Sequence, residues 1–524
     1  MAYTLSTSEA SRISQRRVSD QNIVSAAKGG GITFAGTVFA YGARFMIGIL
    51  LARSLGAEQY GLYSLATTAV AVAAALALLG MESAMVRYVS LFVSRRDTAG
   101  LRGTLEVGLG LTTVTSLLTG IGMYALAGPI AERLFHEPAL APLLRLATLM
   151  VPFESLNSIT AAATRGFKKM QYSAITQQVS RPLIKLVVLV VLAITVGLNA
   201  ARTLAAQTFA LVIACAMILY FLNHLCSLRH PIQTARRDVK GMLNFALPLY
   251  VTRLITMFRG NIQTVFLGAL NTITSVGIFT VAAQVNRIGQ MFHHSVVIAS
   301  MPIVSELYGR RDREQMGRFY QTMARWTFTL NLPLFLVVLL FPTQILSVFG
   351  KSYVGGATAL GLLAWANLAT SATGIGGVMI DMTGRTRLKV VNAVVVSTLV
   401  VGLNALLIPR WGLTGAATAA LVSAVTGNLL ALLEVFALFR LLPYNVSFLK
   451  PVAAGLAALG VALALSHVLH PEEGLVYAAV NAAVLVLVYV GMILVLGLSD
   501  EDRVVLARLR GRLSNMHASR KTDG

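Results

Sequence analysis

Charge is scarce in this sequence, and acidic charge is scarcest. Only 12% of its 524 residues are charged, about half the share of a soluble domain, and 21 Asp and Glu stand against 43 Lys and Arg. A chain that is 56% hydrophobic, with a mean hydropathy of +0.72, exceeds what a water-soluble core can bury and is expected to be a polytopic membrane protein. Cysteine is nearly absent. Cys215 and Cys226 fall on one expected helix, about 16 Å apart by helical rise, too far for a disulfide, and serve as small apolar fillers. No nucleotide-binding motif occurs. Gly29-Gly30-Gly31 precedes an apolar run instead of joining a strand to a helix, so it reads as a flexible joint, and hydrolysis of ATP by a P-loop is excluded. Metal ligands are equally thin. His293 and His294 are adjacent and cannot face one ion from a helix, and His467-x-x-His470 has no third ligand nearby, so no metal and no cofactor is expected. Residues 1–30 are polar and basic and lack the apolar core of a cleavable signal peptide, so the first apolar segment is expected to act as an uncleaved anchor.

Long apolar runs fill the rest. Fourteen appear, at about 32–54, 60–84, 103–129, 139–164, 171–198, 203–227, 241–269, 274–300, 318–342, 356–380, 386–408, 412–438, 449–469 and 475–497. Most reach the roughly 20 residues that span a hydrocarbon core. The spacing predicts an all-α polytopic fold of about fourteen transmembrane helices joined by short connections. With the N-terminus inside, cytoplasmic segments hold thirty Lys and Arg and the opposite side six, a strong positive-inside asymmetry that puts both termini in the cytoplasm of a multi-pass cytoplasmic-membrane protein. The same asymmetry accounts for the net charge of +22: basic loops lie beside an anionic leaflet, and nucleic acid is not the expected partner.

Three landmarks recur at an offset of 215–218 residues: Gly61-Leu62-Tyr63 with Gly277-Ile278-Phe279, Arg95-Arg96-Asp97 with Arg310-Arg311-Asp312, and Arg165-Gly166-Phe167-Lys168 with Thr383-Gly384-Arg385-Thr386. Six spans separate each pair, an even number, so the repeat is parallel. The expected organisation is a cytoplasmic tail over 1–30, a first six-helix lobe over 31–235 and a second over 236–440. Two added helices follow over 441–498, then a basic cytoplasmic tail over 499–524.

Seven cations sit inside the apolar runs: Arg44, Arg181, Lys185, Arg253, Arg259, Arg287 and Arg325. At roughly 3 kcal/mol each on insertion scales, such residues face a wet interior and mark a substrate path. Carboxylates within the runs are few, Glu154 and Glu434 with Glu82 and Glu106 near helix ends, so the path reads as cationic and its cargo as anionic. Helical spacing sets the cations into polar stripes: Thr33, Thr37, Tyr41, Arg44 and Gly48; Gln177, Arg181 and Lys185; Thr252, Thr256, Arg259 and Gln263, flanked by Arg253; and Thr280, Gln284, Arg287 and His294. Arg44, Lys185 and Arg259 lie deepest and head the candidate binding residues. Arg253, Arg287 and Arg181 flank them, Tyr41 and Gln263 share their faces, and Arg325 is placed to snorkel toward the cytoplasmic end of its span. Prolines at 182, 248 and 333 are candidate kinks.

The run from Ala43 to Tyr63, with Ala52-Arg53-Ser54-Leu55-Gly56 and Tyr60-Gly61-Leu62-Tyr63 inside it, resembles the opening of the polysaccharide-transporter flippases of the multidrug/oligosaccharidyl-lipid/polysaccharide exporter superfamily. The repeat and the basic loops resemble that family over roughly 25–440, and the last two spans resemble the extra pair of its fourteen-span members. The resemblance implies two six-helix lobes around a cavity that opens alternately to either side. It implies a polyprenyl-(pyro)phosphate-linked anionic oligosaccharide as substrate, membrane lipids as surroundings, and a polysaccharide polymerase and glycosyltransferases as partners. It also implies cavity-lining arginines on spans 1 and 7, where Arg44 and Arg259, then Arg253, stand. One departure concerns coupling: some lipid II flippases hold sodium with acidic residues on spans 7 and 11, and here span 7 has none past Asp238 and span 11 has none. The rival readings are a multidrug exporter of the same superfamily, which would want carboxylates for organic cations, a polytopic glycosyltransferase or ligase, which would want an acidic outer loop, and a non-transporting scaffold.

Overall fold

The computed structural model of the chain describes residues 7–226, 235–468 and 474–497, with side chains from Gly36 onward except Thr37, Val38, Thr252, Thr256, Arg259, Thr386 and Val468. Every regular element among them is helical, as the apolar runs require. Contacts divide the chain into two units, Met1–Ala269 and Leu270–Gly524.

The first unit holds α1 (Thr7–Leu78), α2 (Met81–Ser94), α3 (Thr98–Pro129), α4 (Leu140–Ala147), α5 (Met150–Gly166), α6 (Met170–Ala174), α7 (Arg181–Thr195), α8 (Ala200–Leu225) and α9 (Val239–Leu270). The expected N-terminal tail is helical from Thr7, and α1 breaks at Gly56, between the first two expected spans. A π-helical stretch, Ile175–Ser180, joins α6 to α7. Starts are capped where the sequence supplies a side-chain acceptor: Asp97 accepts from the Gly100 N–H at 2.9 Å, and Asn199 from Arg202 at 2.8 Å. Met81, Met85, Val89, Leu105, Ile159, Met242 and Ala246 form one buried cluster. Small residues set how closely the helices approach, with Gly108 against Met85 and Gly166 against Val89. Large apolar side chains elsewhere point away from the protein, Ile121 at 66% and Ile194 at 80% exposure, an arrangement that water would penalise and lipid does not. Helix α9, expected to open the second lobe, belongs by contact to the first unit: Met242 and Ala246 enter its core and Tyr250 donates to the Leu76 carbonyl at 3.1 Å. The compact units therefore divide at 269/270 and not at the repeat boundary of 235/236.

Ahead of α9, the segment 235–238 lies across the start of α3. The Arg236 N–H donates to the Ala99 carbonyl at 3.2 Å, the Arg236 guanidinium pairs with Asp97, and Glu106 accepts from Arg237 and Arg102, each at 2.9 Å. Gly103 permits this approach, since a Cβ there would strike the Arg236 carbonyl oxygen. Gly103→Val is expected to lift the segment, and trypsin should then cut after Arg236 and Arg237 several-fold faster in the detergent-solubilised protein. An unchanged rate would show that the ion pairs, each worth ~1 kcal/mol or less when exposed, suffice to hold it.

The second unit holds α10 (Ile273–Gly309), α11 (Arg313–Leu340), α12 (Pro342–Ser347), α13 (Ala357–Thr373), α14 (Gly376–Met382), α15 (Thr386–Phe439), α16 (Leu449–Val468) and α17 (Leu475–Val495). Helix α15 breaks at Gly412, between expected spans 11 and 12. The two helices beyond the repeat dock on α11. Ala454, Ala458 and Ala462 of α16 share one face and meet Phe328, Leu332, Phe335 and Leu336, and the Tyr489 hydroxyl of α17 donates to the Thr329 carbonyl at 3.0 Å.

Backbone conformation carries the repeat further than the sequence landmarks do. Left-handed φ values occur at Arg96 and Arg311, His136 and Gly350, Lys168 and Gly384, and Gly197 and Gly412, every pair 214–216 residues apart. Asp97 and Asp312 cap equivalent helices by accepting from the third residue on. The third landmark shifts register: Lys168, not Gly166, matches Gly384 in conformation, which brings its offset from 218 to 216.

By length and composition eight described helices can cross a membrane, or ten when two bent pairs count as one span each. Two of the eight, Phe39–Leu78 and Arg387–Phe439, contain the breaks between paired spans. The expected fourteen is not reached on this criterion because α5 has only 17 residues and α10 carries Gln284, Asn286, Arg287, His293 and His294 along its middle.

Candidate functional site

Inside the first unit, α1, α5, α7, α8 and α9 enclose a cavity of about 460 Å³. Its walls are chiefly alanine, valine, leucine and methionine, and its polar groups are Thr67, Glu154, Ser158, Arg181, Gln207 and Arg253. Glu154 and Ser158 reach it together because they stand four residues apart on α5, one turn along a single face. Arg181 opens α7 directly after the π-helical stretch, and Pro182 sits in the first turn, where its missing N–H costs no helical hydrogen bond. That wider turn breaks the regular register assumed for Gln177, Arg181 and Lys185. π-Bulges recur at functional sites because they re-aim side chains in this way.

Two of the cavity's cations are held by carboxylates. Arg181 Nη1 donates to Glu154 Oε1 at 3.0 Å and Nη2 to Oε2 at 2.7 Å, a two-pronged pair with side chains 24% and 26% exposed. Arg253 pairs with Glu82 of α2, whose side chain is buried. Lys185, one turn beyond Arg181, stands behind the wall. Its Nζ donates to Gln207 Oε1 and to the Tyr63 hydroxyl, each at 2.7 Å, and lies 5.2 Å from the centre of the Tyr63 ring. The Tyr63 hydroxyl also contacts Gln207. The interior is thus a charge network in which cations outnumber carboxylates but do not stand bare.

The expected site residues separate accordingly. Arg181 and Arg253 line the cavity, and Lys185 joins it through Gln207. Arg44 is exposed on α1, with Tyr41 half-buried one turn before it, and Gln263 is half-buried on α9; these three do not line the cavity. Arg287 is exposed on α10 in the second unit. The side chains of Thr33, Thr37, Thr252, Thr256 and Arg259, together with His470 and residues 499–524, lie outside what the structure describes. Arg325 is a correction: at 5% exposure it is buried within the second unit and does not snorkel, because α11 packs against α10 and α13. In the same unit Asn392 donates to Glu434 at 2.7 Å, so that carboxylate accepts from an amide. Tyr63, Gln207, Ser158 and the partner carboxylates Glu82 and Glu154 were missed as site residues. Glu154 and Glu82 left a signal as rare carboxylates in apolar runs, though not their partners, and Gln207 left one as an amide among the apolar residues of span 6.

Known proteins share this architecture. The family model described as "Polysaccharide biosynthesis protein" matches residues 26–308, and the model described as MatE matches residues 248–406. The "Probable low-salt glycan biosynthesis flippase Agl15" of Haloferax volcanii is 22% identical over 401 residues, covering 76% of this chain and 80% of its own length. Among solved structures, the lipid II flippase MurJ in an inward closed conformation superposes with a TM-score of 0.70 at 14% identity, over 89% of this chain and 98% of that one. An inward-facing multidrug resistance MATE family transporter of the MOP superfamily superposes with a TM-score of 0.62 at 18% identity, over 76% and 94%. At these identities the structural likeness concerns the fold.

Proposed function

Because this chain belongs to the polysaccharide biosynthesis protein family, within the multidrug/oligosaccharidyl-lipid/polysaccharide exporter superfamily, we propose that it is a flippase. Its substrate in this reading is a polyprenyl-(pyro)phosphate-linked oligosaccharide, carried across the cytoplasmic membrane by alternating access for polysaccharide or cell-envelope biosynthesis. The observation that carries the reading is the cavity of the first unit, which Arg181 and Arg253 both line, with Lys185 bonded to Gln207. A guanidinium fork matches two oxygens of a phosphate, and an ammonium adds a point charge. The cavity's apolar walls suit a headgroup leaving water, and the exposed apolar side chains outside it suit a lipid tail that stays in the bilayer. Thirty basic residues in the loops and tails expected on one side against six on the other support cytoplasmic termini. The name of the Haloferax relative supports the same class of cargo.

Arg44 and Arg259, taken over from the family resemblance, complete the proposed binding set with Arg253, Arg287, Tyr41 and Gln263. The double variant Arg44→Ala/Arg259→Ala, reconstituted in vesicles with a fluorescent polyprenyl-diphosphate sugar on one leaflet, is expected to insert normally and to lose translocation. Full translocation by that variant would overturn the assignment. Export of an organic cation by the wild-type protein in the same vesicles, with no movement of the lipid, would favour the multidrug reading instead.

A further inference from the structure

The Glu154–Arg181 pair is the feature the flippase reading leaves unexplained. A site for an anion has its best anion receptor already filled by a carboxylate of the protein. Both prongs of the guanidinium are engaged, at 3.0 and 2.7 Å, and the pair sits on the cavity wall with both residues lining it. The arrangement occurs twice, since Arg253, which lines the same cavity, is held by Glu82. Lys185 differs: its two donated bonds go to a hydroxyl and an amide, neither of which carries charge.

Resting on the flippase reading, we infer that Glu154 is an internal stand-in for the substrate's anion and sets which anions the cavity accepts. A carboxylate and a phosphate present the same pair of oxygens to an arginine fork. Glu154 is tethered beside Arg181, so its effective concentration there is millimolar or higher. A ligand offering one carboxylate exchanges like for like against a tethered competitor and gains nothing at lower concentration. A diphosphate brings more charge and more oxygens, and can engage Arg181 together with Arg253, so it wins the exchange. The displaced Glu154 stays in the cavity, whose lining also holds Ser158, one turn along its own helix, and Gln207 as polar groups. Its charge then weakens the bound state and favours release on the far side. A carrier needs that release, because a site that only tightens holds its cargo.

The test is binding of geranylgeranyl diphosphate, compared with geranylgeranoic acid, which carries a similar tail with one carboxylate, to the full-length detergent-solubilised protein. Glu154→Gln removes the competing charge and keeps the shape. It is expected to bind the diphosphate about tenfold tighter than wild type and to gain more for the carboxylate, so the preference between the two narrows, while turnover in vesicles slows. Glu154→Asp keeps the charge but shortens the reach, and should fall between wild type and Glu154→Gln. Size-exclusion profiles establish that each variant is folded, and either variant alone suffices for the comparison. Diphosphate binding that is unchanged or weaker in the folded variants would overturn the proposal and make Glu154 a brace for Arg181. Equal gains for both ligands would overturn its role in selection. Failure of wild type and variants alike to bind the diphosphate would instead bring down the reading of the cavity, and the proposal with it.

Discussion

Gly374→Ala is expected to cost the second unit about 3 kcal/mol. Gly374 ends α13 at φ 67° and ψ −127°, the mirror image of an extended backbone, which only glycine enters without strain. A Cβ there would also lie 2.6 Å from Cα and Cβ of Ala324 on α11, atoms that cannot swing aside as a flexible side-chain tip could. The tertiary surroundings lock the break in place, since the Tyr320 hydroxyl donates to the Thr373 carbonyl at 3.1 Å. Thermal denaturation of the solubilised protein followed by size exclusion should show the loss. Gly377→Ala is the control: no atom lies within 4 Å of the added Cβ, and the position is helical, so the change should be neutral or stabilising by up to ~1 kcal/mol. Equal behaviour of the two variants would mean that the chain does not turn at Gly374.

That break also shows where sequence reading stops. The expected span 356–380 treats as continuous a segment that the structure bends by 53° between Thr373 and Gly376. The cluster Gly374, Gly376 and Gly377 was the available sign, yet glycine is common in membrane helices and apolarity alone does not separate a bend from a straight span. The breaks at Gly56 and Gly412 were legible because each falls between, or at the edge of, two apolar runs that are long enough to cross separately. The parallel repeat was legible for a similar reason, since Asp97 and Asp312 do the same local work as helix caps and must recur with it. The site was legible only in part. Depth and helical phase identified Arg181, Lys185 and Arg253 as cations within the apolar runs, but pairing depends on tertiary approach. Glu154 lies on a neighbouring span and Glu82 is 171 residues from Arg253, so no spacing rule connects them. The π-helical stretch before Arg181 defeated the regular stripe, because period 3.6 fails across it. Arg325 failed for the opposite reason: its nearness to a span end suggested an exposed head, while neighbouring helices close over it.

Removing Arg181 should separate what this pair does for the fold from what it does for transport. Arg181→Ala leaves the Glu154 carboxylate without its partner. Breaking a fully buried pair costs about 3–5 kcal/mol, and with a quarter of each side chain exposed the expected loss here is ~2 kcal/mol. Deleting Glu154 as well takes away the stranded charge, so the double variant Glu154→Ala/Arg181→Ala should return to within ~1 kcal/mol of wild-type stability. Translocation should not follow. An arginine fork lost from the cavity removes the two-oxygen contact with the headgroup, and both the single and the double variant are expected to fall about 100-fold, equivalent to ~2.7 kcal/mol. Glu154→Ala alone keeps the fork and should keep substrate binding. The decisive comparison is therefore between stability, which the second substitution rescues, and transport, which it does not. If translocation recovered together with stability in the double variant, Arg181 would be a structural partner of Glu154, and the headgroup would have to be held by Lys185 and Arg253 without it.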